Sequence, residues 1–145
     1  MTEAAATRPL HDGLFREQGD GSIVLIGGYS PSSGRTHFPR LPACPYTGAD
    51  DVEEVELPTS GTLWGWTGVT ARPPGYDGEM PFGFGIVELT DGLRVITRLT
   101  EPDPSALTFR QAMRLVAETL QTDDDGTAVI TYAFAPGDGR GEGGA

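Results

Sequence analysis

The run Phe82-Gly83-Phe84-Gly85-Ile86-Val87-Glu88-Leu89-Thr90-Asp91-Gly92-Leu93-Arg94-Val95-Ile96-Thr97-Arg98-Leu99 decides the fold. Two stretches rich in β-branched and aromatic residues, 82–89 and 93–99, flank an Asp-Gly step, which is a strong hairpin signal. They predict an antiparallel pair. Residues 62–70 have the same texture, and Asp125-Gly126 introduces a fourth such run at 127–134. Gly83 and Gly85 read as bulge or close-approach positions rather than a phosphate loop, because they lie inside a strand with no helix following. Residues 105–120 carry two patterns at once. Ala106, Phe109, Met113, Val116 and Leu120 form a helical stripe behind Ser105 as cap, whereas Met113, Leu115 and Ala117 alternate as in a strand. Periodicity favours the helix; a strand would give five strands between 61 and 135, suited to a small closed barrel of the OB type.

Outward from this block the texture changes. Val52, Val55 and Leu57 lie among Asp50, Asp51, Glu53, Glu54 and Glu56, predicting an exposed, strongly acidic strand. Residues 27–48 are dense in Gly, Pro and Ser and predict irregular structure, preceded by a short strand at 22–26. Leu10, Leu14 and Phe15 give one apolar edge to a short helix ended by Gly19 and Gly21. The chain therefore divides into a flexible 1–8, a helix and loop region at 9–57, a barrel at 58–136 and a disordered Gly-rich tail at 137–145.

Composition closes off several functions. The chain has 145 residues, the length of one ordinary domain. Its formal charge is −11, which disfavours autonomous nucleic-acid binding, and all ten basic residues are Arg, so Schiff-base chemistry and a P-loop lysine are excluded. With 21 Gly and 12 Pro it is loop-rich and mainly β. No apolar run is long enough to span a bilayer and no secretory signal is visible, so a soluble, cytoplasmic protein is expected.

Candidate chemistry is sparse. Cys44 has no CxxC partner and His11 and His37 show no metal-ligand spacing. A Cys44 nucleophile assisted by His37 is conceivable, but a Cys between Pro42 and Pro45 reads as structural. Asp123, Asp124 and Asp125 lack the further ligands of a calcium loop and read as a solvated turn. No GxSxG elbow occurs. The stretch 71–85 is more informative, because about ten residues with three Pro join two strands where a hairpin needs two to five. Its length, stiffness and aromatic load suit either a preorganised contact surface or merely a long barrel loop. Trp64 and Trp66 share one face of the strand before it, and core packing accounts for at least one of them.

Taken in order, His11-Asp12-Gly13-Leu14-Phe15, Phe38-Pro39-Arg40 with Cys44-Pro45, Gly61-Thr62-Leu63, Arg72-Pro73-Pro74-Gly75-Tyr76 and Val87-Glu88-Leu89 through Gly92-Leu93-Arg94 resemble a known pattern. The chain is similar, over about 10–135, to the family with a rubredoxin-like zinc ribbon followed by an OB-fold, associated with acyl-CoA enzymes of the thiolase superfamily. The resemblance implies a mainly β chain: short N-terminal helix, ribbon, five-stranded OB barrel. It places the four ribbon ligands at Ser30, Ser33, Cys44 and Thr47. Three of the four thiolates are absent, so a degenerate, zinc-free ribbon is expected, stabilised by packing of Phe38, Pro39, Pro42 and Tyr46 against a neighbour.

The resemblance further implies a non-catalytic accessory subunit in a hetero-oligomer with a thiolase-like protein (a thiolase, an aldolase or a synthase). Such a subunit helps shape the acyl-CoA entrance, with the coenzyme A thioester shared with the partner and no cofactor bound tightly. Arg72, Tyr76, Met80, Phe82 and Phe84 are the candidates for contacting partner or coenzyme A. Arg72 is either a surface charge or, through its bidentate guanidinium, a contact for phosphate or carboxylate. The alternative is a stand-alone protein binding acyl-CoA or another small ligand on the barrel.

Overall fold

The structure, a computed structural model, describes residues 7–11, 13–19, 22–74, 80–89 and 92–137. Ten strands follow along these residues: β1 (Thr7–Pro9), β2 (Phe15–Glu17), β3 (Ile23–Ser30), β4 (Arg35–His37), β5 (Glu53–Glu56), β6 (Ser60–Val69), β7 (Phe82–Leu89), β8 (Arg94–Leu99), β9 (Ala112–Thr122) and β10 (Ala128–Pro136). A single turn of 3-10 helix, Pro104–Ala106, precedes β9 and is capped by the Asp103 carboxylate.

The hairpin expected at the centre of the sequence forms. β7 and β8 pair antiparallel from Gly83↔Leu99 to Glu88↔Arg94, and Gly92 takes a φ of +93° in the connecting turn. Such a φ is open to glycine without strain. Thr90 and Asp91 lie outside the described residues. β6 pairs antiparallel with both β7 and β9, β9 with β10, and β10 in parallel with β8, which closes a five-stranded barrel. Residues 112–122 are therefore strand, and the helical stripe at 105–120 is overridden. Met113 faces inward with no exposure, and Arg110, at φ +69°, breaks any helix through it. Both edges of β9 find backbone partners, so tertiary pairing outweighs the local 3.6-residue pattern.

The short helix expected from Leu10, Leu14 and Phe15 does not form. Gly13 takes a φ of +85°, outside right-handed helix, and β2 instead pairs antiparallel with β3 through Phe15↔Leu25. The Leu10 N–H donates to the Ile130 carbonyl at 2.8 Å. Thr7 and Arg8, grouped above with the flexible 1–8, lie in β1, which pairs in parallel with β10. β3 is the middle of the N-terminal sheet, with β2, β4 and the acidic β5 against it, and it runs to Ser30, four residues beyond the expected strand. Residues 1–6 and the tail 138–145 lie outside the described residues.

One hydrophobic cluster serves both halves. Phe15, Ile23, Leu25 and Leu57 from the N-terminal part belong to the same buried group as Leu63, Val87, Leu99, Met113 and Phe134 of the barrel. Inside the barrel, space is made by glycine. A Cβ at Gly85 would collide with the Gly65 carbonyl and one at Gly83 with the Glu101 carbonyl, so these are close-approach positions as expected.

Two outcomes follow from this packing. Gly85→Ala is expected to destabilise the chain toward the upper end of about 1–3 kcal/mol, because backbone has to move, and thermal melting by circular dichroism reads the loss. Leu25→Ala is expected to cost about 2–5 kcal/mol and to lower the melting of the barrel as well, followed through Trp64 and Trp66 fluorescence. Two separate transitions in that experiment would refute a shared core.

Candidate functional site

The alternation of β7 and β8 sets the surface of the barrel. Gly83, Gly85, Val87 and Leu89 point inward, which turns Phe82, Phe84, Ile86 and Glu88 outward on β7. On β8 the same logic turns Arg94, Ile96 and Arg98 outward. Cross-strand register then makes rungs: Phe84 with Arg98, Ile86 with Ile96, Glu88 with Arg94. Phe84, Ile86 and Ile96 are 40%, 38% and 61% exposed, an apolar row on a chain whose formal charge is −11. Apolar side chains on the outer as well as the inner face are the informative departure from a solvated sheet.

Charge around the row is internally balanced. Arg98 Nε donates to Glu118 Oε1 at 2.7 Å, and its guanidinium lies 4.5 Å from the Phe82 ring centre. Arg94 donates to Glu88 Oε2 at 3.3 Å and sits over Trp64, 4.1 Å from the ring centre, while Trp64 Nε1 donates to Glu88 Oε1 at 3.1 Å. Trp64 occupies a bulge between Leu63 and Gly65, so the two tryptophans do not share one environment. Trp66 packs against the core and donates to the Pro104 carbonyl at 2.9 Å; Trp64 instead meets Phe109 edge-on.

One flank of the row opens into a groove of about 420 Å³ between the barrel and the N-terminal part. Leu14, Phe38 and Pro39 line it on one side; Phe84, Ile96 and Tyr132 line it on the other. Phe38 and Tyr132 meet edge to face at 5.5 Å, and the Tyr132 hydroxyl donates to the Ile96 carbonyl at 3.1 Å. Burial pushes the Tyr132 phenol up, so it stays a neutral donor.

Of the contact residues expected from sequence, Phe82 and Phe84 share this outer face. Arg72 is exposed and Met80 half-buried, at the two ends of the connection from β6 to β7. Tyr76, with the rest of 75–79, lies outside the described residues. Ile86, Ile96 and Tyr132 were missed. For Ile86 and Ile96 the signal was the alternation itself, since β7 with Gly, Gly, Val and Leu inward presents Phe, Phe, Ile and Glu outward and β8 with Val, Thr and Leu inward presents Arg, Ile and Arg, whereas Tyr132 lies on a strand buried on both faces that carries no such signal.

A second convergence lies in the N-terminal part. Ser30, Ser33 and Thr47 surround Cys44, a free thiol only 3% exposed. The backbone N–H groups of Tyr46 and Thr47 each donate to that sulfur at 3.4 Å. Burial pushes the thiol up, but the Ser30, Thr47 and Ser33 hydroxyls and the Tyr46 N–H outweigh it and hold it at about 6. His37 takes no part. Its Nε2 accepts from the Leu41 N–H at 3.1 Å, and no Cys–His pair of the kind a nucleophile needs is formed. The aspartates 123–125 form a hairpin turn in which Asp125 Oδ1 accepts from the Thr127 N–H at 3.0 Å. Among the described residues no helix is long and apolar enough to cross a membrane.

Comparison with known proteins agrees with this architecture. Residues 54–118 match the family described as ChsH2, C-terminal OB-fold domain. A "Benzoylsuccinyl-CoA thiolase subunit BbsA" from Thauera aromatica is 27% identical, over 86% of this chain and 85% of its own length. A chain of the solved structure "Ltp2-ChsH2(DUF35) aldolase" superposes with a TM-score of 0.59 at 25% identity, covering 78% of this chain and 84% of that one. A "DUF35 domain-containing scaffold protein" from Pyrococcus furiosus is 30% identical over 84% of this chain and 87% of its own. With closed barrel, N-terminal sheet and near-full-length similarity in agreement, the chain belongs to the DUF35 family of OB-fold proteins.

Proposed function

We propose that this protein is a non-catalytic accessory subunit that docks on a thiolase-like enzyme and helps form or stabilise its acyl-CoA site. The observation that carries the reading is the apolar row Phe84, Ile86 and Ile96, held rigid on two barrel strands and continuous with the groove at Phe38 and Tyr132. Its arginines are tied to Glu88 and Glu118, so the row is an apolar surface whose flanking charges are paired. Such a face fits an apolar surface on a partner, and the charge of −11 disfavours a second copy of the same chain.

Two relatives bear names of thiolase and aldolase assemblies, which supports a thiolase-like partner in a hetero-oligomer. The chemistry of the chain supports a scaffold role. Its one thiol is enclosed between two loops, and the groove is walled largely by aromatic and aliphatic side chains, with His11 at its edge and its Arg94 and Arg98 held by Glu88 and Glu118. Arg72, Met80 and Phe82, with Tyr76 between them in sequence, extend the proposed contact from the row along the connection to β6. The coenzyme A thioester is shared with the partner rather than held by this chain alone, and no tightly bound cofactor is assigned. A cytoplasmic setting, where thiols stay reduced, suits the free Cys44.

Co-expression with a tagged thiolase-like protein encoded beside this chain tests the reading. The untagged chain is expected to co-elute in stoichiometric amount. Phe84→Asp and Ile96→Asp are each expected to weaken the complex by about 2 kcal/mol or more, as for central interface anchors, with an unchanged circular dichroism spectrum. Undiminished co-elution of the double variant would remove this face from the interface. A well-folded chain that stays alone, and binds acyl-CoA by itself, would instead establish the stand-alone binder.

A further inference from the structure

The resemblance stated from sequence implies a zinc ion between two knuckle loops, with Ser30, Ser33, Cys44 and Thr47 at the ligand positions. The structure allows that expectation to be tested on the donor set. The two loops do meet. In the first, the N–H groups of Ser33 and Gly34 donate to the Ser30 carbonyl at 3.1 and 2.8 Å. In the second, the Gly48 N–H donates to the Cys44 carbonyl at 2.8 Å, and the Tyr46 and Thr47 N–H groups point at the sulfur. Each loop is a tight turn with its first side chain directed to the other loop.

The donors themselves do not fit zinc. Structural zinc is held by four thiolate or imidazole ligands, and alcohols remain protonated and weakly coordinating near neutral pH. Three of the four positions are alcohols here. Among the described residues no group of three or more His, Cys, Asp or Glu side chains is placed to hold an ion.

What joins the loops is written in hydrogen bonds. The Ser32 and Thr47 hydroxyls lie 2.7 Å apart across the gap. Asp51 reaches back over the first loop, accepting from the Ser30 hydroxyl at Oδ1 and from the Ser32 N–H at 2.7 Å on Oδ2. Each hydroxyl carries one proton, so Ser30 serves either the sulfur or Asp51, and Ser32, at 3.0 Å, joins it to the rest of the network. Sulfur accepts such bonds as thiol or thiolate alike.

We propose that this chain keeps the two-loop shape of a zinc ribbon but fastens it without metal, through hydrogen bonds that converge on Cys44 Sγ and the Asp51 carboxylate. The polarity of the site is inverted. A zinc ribbon surrounds a central cation with anionic ligands, whereas here polar hydrogens surround a buried sulfur and a half-buried carboxylate. Asp51, outside the four ligand positions, supplies the cross-link that the missing thiolates would have made through the ion.

The test uses the full chain expressed with added zinc. The purified protein is expected to hold well below one equivalent of zinc, with a melting temperature that strong chelator leaves unchanged. Cys44→Ala and Asp51→Ala are each expected to lower melting by several degrees, and together by less than the sum, since both act in one network. The variant Ser30→Cys/Ser33→Cys/Thr47→Cys, which completes four thiols on the existing turns, is expected to bind one cobalt ion per chain with a tetrahedral thiolate spectrum. Stoichiometric zinc in the natural chain, or native melting in both alanine variants, would overturn the proposal. A folded triple variant that takes up no metal would overturn the claim that the ribbon shape persists; if that variant fails to fold, the zinc content and the alanine pair still decide.

Discussion

Everything in this molecule hangs on the backbone of β10. Along one edge it pairs antiparallel with β9 over nearly its whole length; along the other it pairs in parallel with β1 at its start and β8 further along. The hydrogen bonds of a single strand thus close the barrel and attach the N-terminal segment to it. Its side chains complete the packing, with Val129, Ala133 and Phe134 fully enclosed. Because an unpaired buried amide is costly, a strand bonded on both edges fixes its neighbours more firmly than any surface ion pair does.

The outer surface inherits this rigidity. Phe84, Ile86 and Ile96 stand on strands whose inner faces are locked by glycine contacts and aliphatic packing, so they are presented with little freedom left to lose on contact. Arg94 and Arg98 spend their charge on Glu88 and Glu118 and contribute flat guanidinium faces over Trp64 and Phe82 instead. A surface that is apolar, rigid and electrostatically self-contained suits recognition by shape, with the acidic remainder of the chain guiding approach.

Much of the barrel was legible from the chain itself. The alternation of 82–99, the Asp-Gly turns and the close-approach glycines each have a local physical cause. The N-terminal helix and the helical stripe at 105–120 misled for the same reason: apolar spacing cannot report a partner strand distant in sequence. At Phe15 that partner is Leu25, and at Met113 it is Gly61 and Pro136. The ribbon positions were legible only through resemblance, and Asp51 was not singled out, because an aspartate amid acidic neighbours looks like any solvated carboxylate. Its hydrogen bonds to Ser30 and Ser32 hold its carboxyl below the usual range, a property of the folded loops alone.

The pairing of β1 with β10 has a temporal consequence. The first and last described strands are neighbours, and the parallel contact of β8 with β10 joins segments separated by the whole 3-10 turn and β9. During synthesis the barrel therefore stays open until its final strand leaves the ribosome, and contacts of such long sequence separation close slowly compared with local ones. Until then the apolar inner faces of β6, β7 and β8 lack their lid, so the chain is most vulnerable to misassociation in the interval before Phe134 reaches the core.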